Sequence, residues 1–243
     1  ERNISMKKTL LATLLAAGAV FCASSAFAAD SVDLKVIGTI TPVACIPTLS
    51  GAGTVDYGTI KADTLKADAY TALPEKSLDF AITCDGNAKV AVKAFSGRMG
   101  STVGDAEATN GAATIPGGMT IFGTDSSTAS LSAFGLGLDG TKKIGGYALV
   151  LGNADMKADG VAVDIISRPG PTGAWVKSTN GTWLATKSFQ EVSSAAAGTL
   201  TPVAFKTLAS TLRVQAYLNK ASELDITKPI QLDGLATLEL IYL

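Results

Sequence analysis

The chain has 243 residues, with 20 basic and 21 acidic side chains and a formal net charge of −1. That balance offers no basic footprint for nucleic acid. Histidine is absent, which removes the commonest general base and rules out a Ser-His-Asp or Cys-His catalytic arrangement.

In chain order, residues 6–28 read as a secretory signal peptide, with the natural start expected at Met6. Lys7 and Lys8 form its charged region, Leu10 to Val20 its apolar stretch, and Ala26-Phe27-Ala28 a small-x-small cleavage site, so the mature chain is expected to begin at Ala29. A membrane anchor is the competing reading, but the apolar run is short and ends in small residues. Without residues 1–28 the chain keeps 17 basic and 20 acidic side chains, a net charge of −3. Cys22 leaves with the signal, and the even remainder fits one disulfide, Cys45 to Cys84, in an oxidising compartment. Two free buried thiols are the alternative.

Residues 29–41 carry an alternating stretch in which Val32, Leu34, Val36 and Ile40 share one face, with Gly38 interrupting the row. Period-two alternation marks a strand with one buried face. Asp33, Lys35 and Thr39 fall on the other face, with Ile37 the exception, and Pro42 punctuates the junction between extension and domain. SLDFAITC (77–84) and AKVAVKAF (88–95) alternate like antiparallel strands joined by a turn at Asp85-Gly86-Asn87. Residues 97–130 are rich in Gly, Ser, Thr and Ala and read mostly as loop. LSAFGLGL, YALVLG and VAVDIISR are further strand candidates, and RPGPTG (168–173) is a breaker.

Asn180-Gly181 between AWVKST and TWLATK predicts a hairpin, with Trp175 and Trp183 on its opposite faces, one in the core and one exposed. A short helix is expected around Phe189 to Ala197. STLRVQAYL (210–218) and LATLELIYL (235–243) close the series. Many short strands between turn clusters predict an all-β sandwich.

The remaining motifs carry little chemistry. GLGLDG (135–140) matches a dinucleotide fingerprint by form, but a chain with 25 glycines produces such matches by chance, and no periodic helix follows. Asp155, Asp159 and Asp164 lack the spacing of a calcium loop and read as solvated turns. Asn180-Gly181-Thr182 is formally a sequon, better explained by the turn. No enzyme, cofactor or metal site is expected.

The signal peptide, the alternating strand with Gly38 seven positions before Cys45, Cys84 at the end of an apolar strand, and the close ATLELIYL with penultimate Tyr242 form an ordered set. This set resembles the structural subunits of chaperone–usher fimbriae, over residues 30–95 and 208–243 more than in the middle. The resemblance implies an incomplete immunoglobulin-like β-sandwich, residues 42–243, completed by a donor strand from a neighbouring subunit. The donor would be the 29–41 extension, with Val32, Leu34, Val36 and Ile40 filling a groove and Gly38 where it narrows. Cys45 and Cys84 match the disulfide of the first two strands. Leu238, Leu240 and Tyr242 match the terminal strand that pairs with the chaperone and then with the donor.

The implied partners are a periplasmic chaperone, an outer-membrane usher, other pilin subunits in a homopolymer or heteropolymer, and a host-surface receptor. The implied destination is the bacterial cell surface, by way of the periplasm. The chain departs from a minimal pilin in a long loop-rich insertion around 97–200, which resembles the larger β-type fimbrial subunits. The alternatives are a self-complete secreted β-sandwich binding module and a minor adhesin or adaptor subunit.

Overall fold

A computed structural model describes residues 32–152, 154–179 and 181–243. The expected signal peptide, residues 6–28, and the start of the extension, residues 29–31, lie outside the described residues. The chain divides after Ile40, and residues 41–243 form one unit. Among the described residues this unit holds nine strands of four residues or more: β1 (Cys45–Leu49), β2 (Lys76–Ala88), β3 (Val90–Ser96), β4 (Ser132–Gly135), β5 (Gly145–Leu151), β6 (Asp164–Pro169), β7 (Gln190–Ala195), β8 (Phe205–Leu218) and β9 (Ala236–Tyr242). The fold is all-β. No helix of the described residues is long and apolar enough to cross a membrane.

Sheet one runs β1-β2-β8-β5-β4, and sheet two runs β6-β7-β3-β9, with antiparallel neighbours throughout. The two sheets face each other across one core, to which Phe80, Ile82, Leu149 and Leu212 come from sheet one and Val92 and Ile165 from sheet two. Alternation explains β2, where Phe80, Ile82 and Cys84 point inward. It does not explain β5, whose seven residues are all buried. Tyr147, Leu149 and Leu151 face the main core, while Ala148 belongs to a second cluster with Val103, Ile115, Ile121 and Tyr217. Residues from 103 to 131 thus cover the outer face of sheet one, and a strand covered on both faces reads as a continuous apolar run. Within 97–200, β4 and β5 belong to sheet one and β6 and β7 to sheet two.

Three local expectations give way to tertiary pairing. β2 and β3 are consecutive in the chain without forming a hairpin: β2 pairs with β1 and β8, whereas β3 pairs with β7 and β9. The chain crosses between layers at Lys89, because both strands are apolar enough to be central in their own sheets. The hairpin at Gly181 is also absent. Val176–Lys177 pairs with β6 in sheet two and Thr182–Trp183 with β5 in sheet one, so the two segments lie in different sheets and do not pair with each other. Trp175 and Trp183 are both half-buried, the first under the Arg168 guanidinium at 4.5 Å and the second edge-on to Phe122 at 5.5 Å. The helix expected at 189–197 is strand β7, in register with β6 from Asp164↔Ala195 to Pro169↔Gln190. The pairing of Arg168 with the buried Glu191, 2.7 Å apart, outweighs the weak helical preference of that Ala-rich run.

Candidate functional site

Two strands form the open edges of the sandwich on one side, β1 in sheet one and β9 in sheet two. They differ in what their backbones offer. In β1, Ala44 accepts a bond from the Asp85 N–H, which places Ala44, Ile46 and Thr48 toward β2 and Cys45, Pro47 and Leu49 toward the free side. Pro47 has no N–H. The Cys45 N–H donates to the Tyr242 hydroxyl at 2.7 Å. Proline and an occupied donor blunt this edge against strand addition.

In β9, the Leu243 N–H bonds to Lys89 and the Leu235 carbonyl accepts from Gly97, so the odd-numbered residues face β3. Ala236, Leu238, Leu240 and Tyr242 therefore turn their N–H and C=O groups to the outside, where no strand of the described residues pairs with them. The side chains of Ala236, Leu238 and Leu240 pack against the core, while Thr237 and Glu239 are exposed. A long free edge with an apolar inner face is an aggregation liability unless something covers it.

Beside this edge lies a groove of about 1120 Å³. Its floor comes from Leu149, Leu212 and Val214 of sheet one, and its rims from residues 52–60 and 224–235, which form no strand. Tyr57 on one rim accepts the Ala216 N–H at 3.1 Å, and burial pushes its phenol up. On the other rim Asp233 takes a two-pronged bond from Arg98, at 2.7 and 2.6 Å. Tyr147 also lines the groove, and its buried hydroxyl has no hydrogen-bond partner among the described residues. Burial raises its pKa, so the group stays neutral. The groove can therefore bind an apolar segment, with the β9 backbone supplying direction. Among the described residues no group of three or more His, Cys, Asp or Glu could hold a metal ion.

The structure distributes the expected site residues over both sheets and the extension. Cys45 and Cys84 are bonded, S–S 2.03 Å, as directly opposed residues of β1 and β2. Leu238 and Leu240 form part of the β9 inner face, and Tyr242 is half exposed at its end. Residues 32–40 form no strand, and Val32, Leu34, Val36 and Ile40 are 87–99% exposed. An extended segment needs a partner edge to become a strand, and among the described residues no strand pairs with this one. Asp159 caps the Lys206 and Thr207 N–H groups, and Asp164 pairs with Lys177. The groove rims and Tyr147 were not singled out by sequence reading. The alternation Val55, Tyr57 was a faint signal for one rim; Tyr147 gave none, since it sits within a continuous apolar run.

A family model described as a protein of unknown function, DUF1120, matches residues 34–148. The chain is 32% identical over 242 residues to the uncharacterized protein YhcF of Escherichia coli (strain K12), covering 95% of this chain and 98% of that one. The chain belongs to this family. It is also 29% identical over 255 residues to protein GltF of the same organism, covering 98% and 99% of the two chains. No solved structure matches this DUF1120 chain.

Proposed function

We propose that this protein is a structural subunit of a bacterial surface fimbria of the chaperone–usher type, exported through the periplasm and polymerised by donor-strand exchange to support cell adhesion. In this reading the sandwich is immunoglobulin-like and lacks a strand beside β9. A periplasmic chaperone covers the groove first, an outer-membrane usher directs assembly, and the 29–41 extension of the next subunit then takes the chaperone's place. It acts by assembly and adhesion and not as an enzyme. A host-surface receptor belongs to the assembled fibre.

The observation that carries the reading is one chain holding two halves of a contact: an apolar groove along the free edge of β9, and an alternating apolar segment that no strand of the described residues pairs with. A peptide added to a sheet edge gains backbone hydrogen bonds along its length while alternate side chains enter the groove. Burial of Val32, Leu34, Val36 and Ile40 contributes a gross ~6–12 kcal/mol before ordering costs. A slip of one residue would turn Asp33 and Lys35 inward, so the same pattern constrains register.

The test is to move residues 30–41 from the N-terminus to a flexible linker after Leu243. Tethering gives the strand a millimolar effective concentration at the groove. The expected product is a soluble monomer, far more stable than the unmodified chain and unable to polymerise. A rearranged chain no more stable than before, together with a well-folded monomer from simple deletion of 30–41, would sink the proposal.

A further inference from the structure

We infer that the incoming extension of a second copy pairs with β9 in one register, selected by Lys35 standing opposite Glu239. This rests on the donor-strand reading and adds to it the residue that decides alignment.

Across the β3–β9 pair, Glu239 stands opposite Lys93, and the two are ion-paired, Nζ to Oε1 3.5 Å. The Glu239 side chain lies on the outer face and is half exposed. Its backbone groups are turned to β3, so a strand added on the free side meets it at a non-hydrogen-bonded position, where facing side chains approach most closely. Whatever residue stands there has its side chain beside a carboxylate.

Two constraints leave few candidates. The groove takes Val32, Leu34, Val36 and Ile40 on the same side as Leu238 and Leu240, so allowed registers differ by steps of two residues. Antiparallel pairing is the more stable per residue. The allowed registers then bring Asp33, Lys35, Ile37 or Thr39 opposite Glu239. Asp33 sets two carboxylates side by side, which is destabilising. Ile37 sets an apolar branch against the carboxylate, and Thr39 offers it no charge. Lys35 extends the existing pair into an alternating row, Lys93–Glu239–Lys35.

The same register aligns Val32 with Tyr242, Leu34 with Leu240, Val36 with Leu238 and Gly38 with Ala236. Each apolar residue of the extension then stands beside a residue whose N–H and C=O face outward. The extension and the free edge match in length as well as in charge, which identifies the occupant as a second copy of this chain.

Full-length chains test this directly. One chain carries Asp33→Cys and its partner Ile241→Cys; a second pair carries Ile37→Cys and Thr237→Cys, so Lys35 and Glu239 stay in place in both. Under assembling conditions, intermolecular disulfides located by mass spectrometry should form in both pairs. Polymer that instead links Ile37→Cys to Leu235→Cys, or Asp33→Cys to Leu243→Cys, overturns the register while leaving donor exchange standing. Links of Asp33→Cys to Thr237→Cys and of Ile37→Cys to Ile241→Cys would mean parallel pairing and overturn it too. Chains that never assemble sink both ideas. As a second readout, Glu239→Lys should slow incorporation of an unaltered extension by about five-fold, and Lys35→Glu in the incoming chain should restore it. Failure of that restoration overturns the role of the pair.

Discussion

The backbone N–H of Cys45 donates to the hydroxyl of Tyr242, 197 residues later in the chain, at 2.7 Å. One group belongs to the edge of sheet one and the other to the edge of sheet two, so this bond ties the sheets together at one end of the opening between them. It also occupies one of the two outward donors of β1, whose middle position is Pro47, and leaves β9 as the edge better able to accept a strand.

Tyr242→Phe keeps the ring and removes the acceptor. The expected result is a loss of about 1 kcal/mol, seen as a lower urea midpoint at unchanged slope. An unchanged midpoint would show that the bond contributes nothing to the isolated subunit.

Ala236→Pro separates folding from assembly. Ala236 turns its N–H away from β3, so proline there removes an outward donor and no bond of the existing sheet. The variant should keep its circular dichroism spectrum and urea midpoint while polymerisation falls about ten-fold. Thr237→Pro, one residue on, removes an N–H that bonds to β3 and should unfold the strand. If both variants assembled normally, the β9 edge would not be the acceptor.

The Cys45–Cys84 bond closes a loop with a sequence separation of 39. Replacing both cysteines with serine should lower stability by about 4 kcal/mol in the chain-entropy account, measured by urea unfolding. A loss below about 1 kcal/mol would mean that β1 is held almost wholly by its other contacts.

Acid should loosen the groove rim. The Arg98 guanidinium bonded to Asp233 holds that carboxyl below its usual range. An unfolded Asp233, with a pKa near 3.9, takes up a proton before the folded one does. Its contribution is complete above that unfolded value and is lost as pH falls through the lower folded one. Asp233→Asn should therefore destabilise the protein at pH 7, and the gap to the unaltered chain should close as pH falls from about 5 to about 2. Glu75, lowered by Arg213, acts in the same direction. A gap constant with pH would show that Asp233 acts through shape and not charge.

Much of this protein comes from local pattern. The alternation of residues 77–84 and 236–240 determined which side chains face the core, since side-chain direction has period two in any strand. The paired cysteines and the absence of histidine were equally plain in the composition. What each strand pairs with was decided only in three dimensions. The runs 77–84 and 88–95 look like one hairpin and lie in different sheets, because hydrogen-bond partners are chosen by the buried area each layer can gather. Residues 176–177 and 182–183 look like the arms of another hairpin and lie in different sheets for the same reason. The apolar row at Val32–Ile40 was visible at once, but nothing local could say that Pro47 and Tyr242 close the β1 edge and leave β9 free. That depends on groups almost 200 residues apart meeting at 2.7 Å, and only the tertiary fold brings them together.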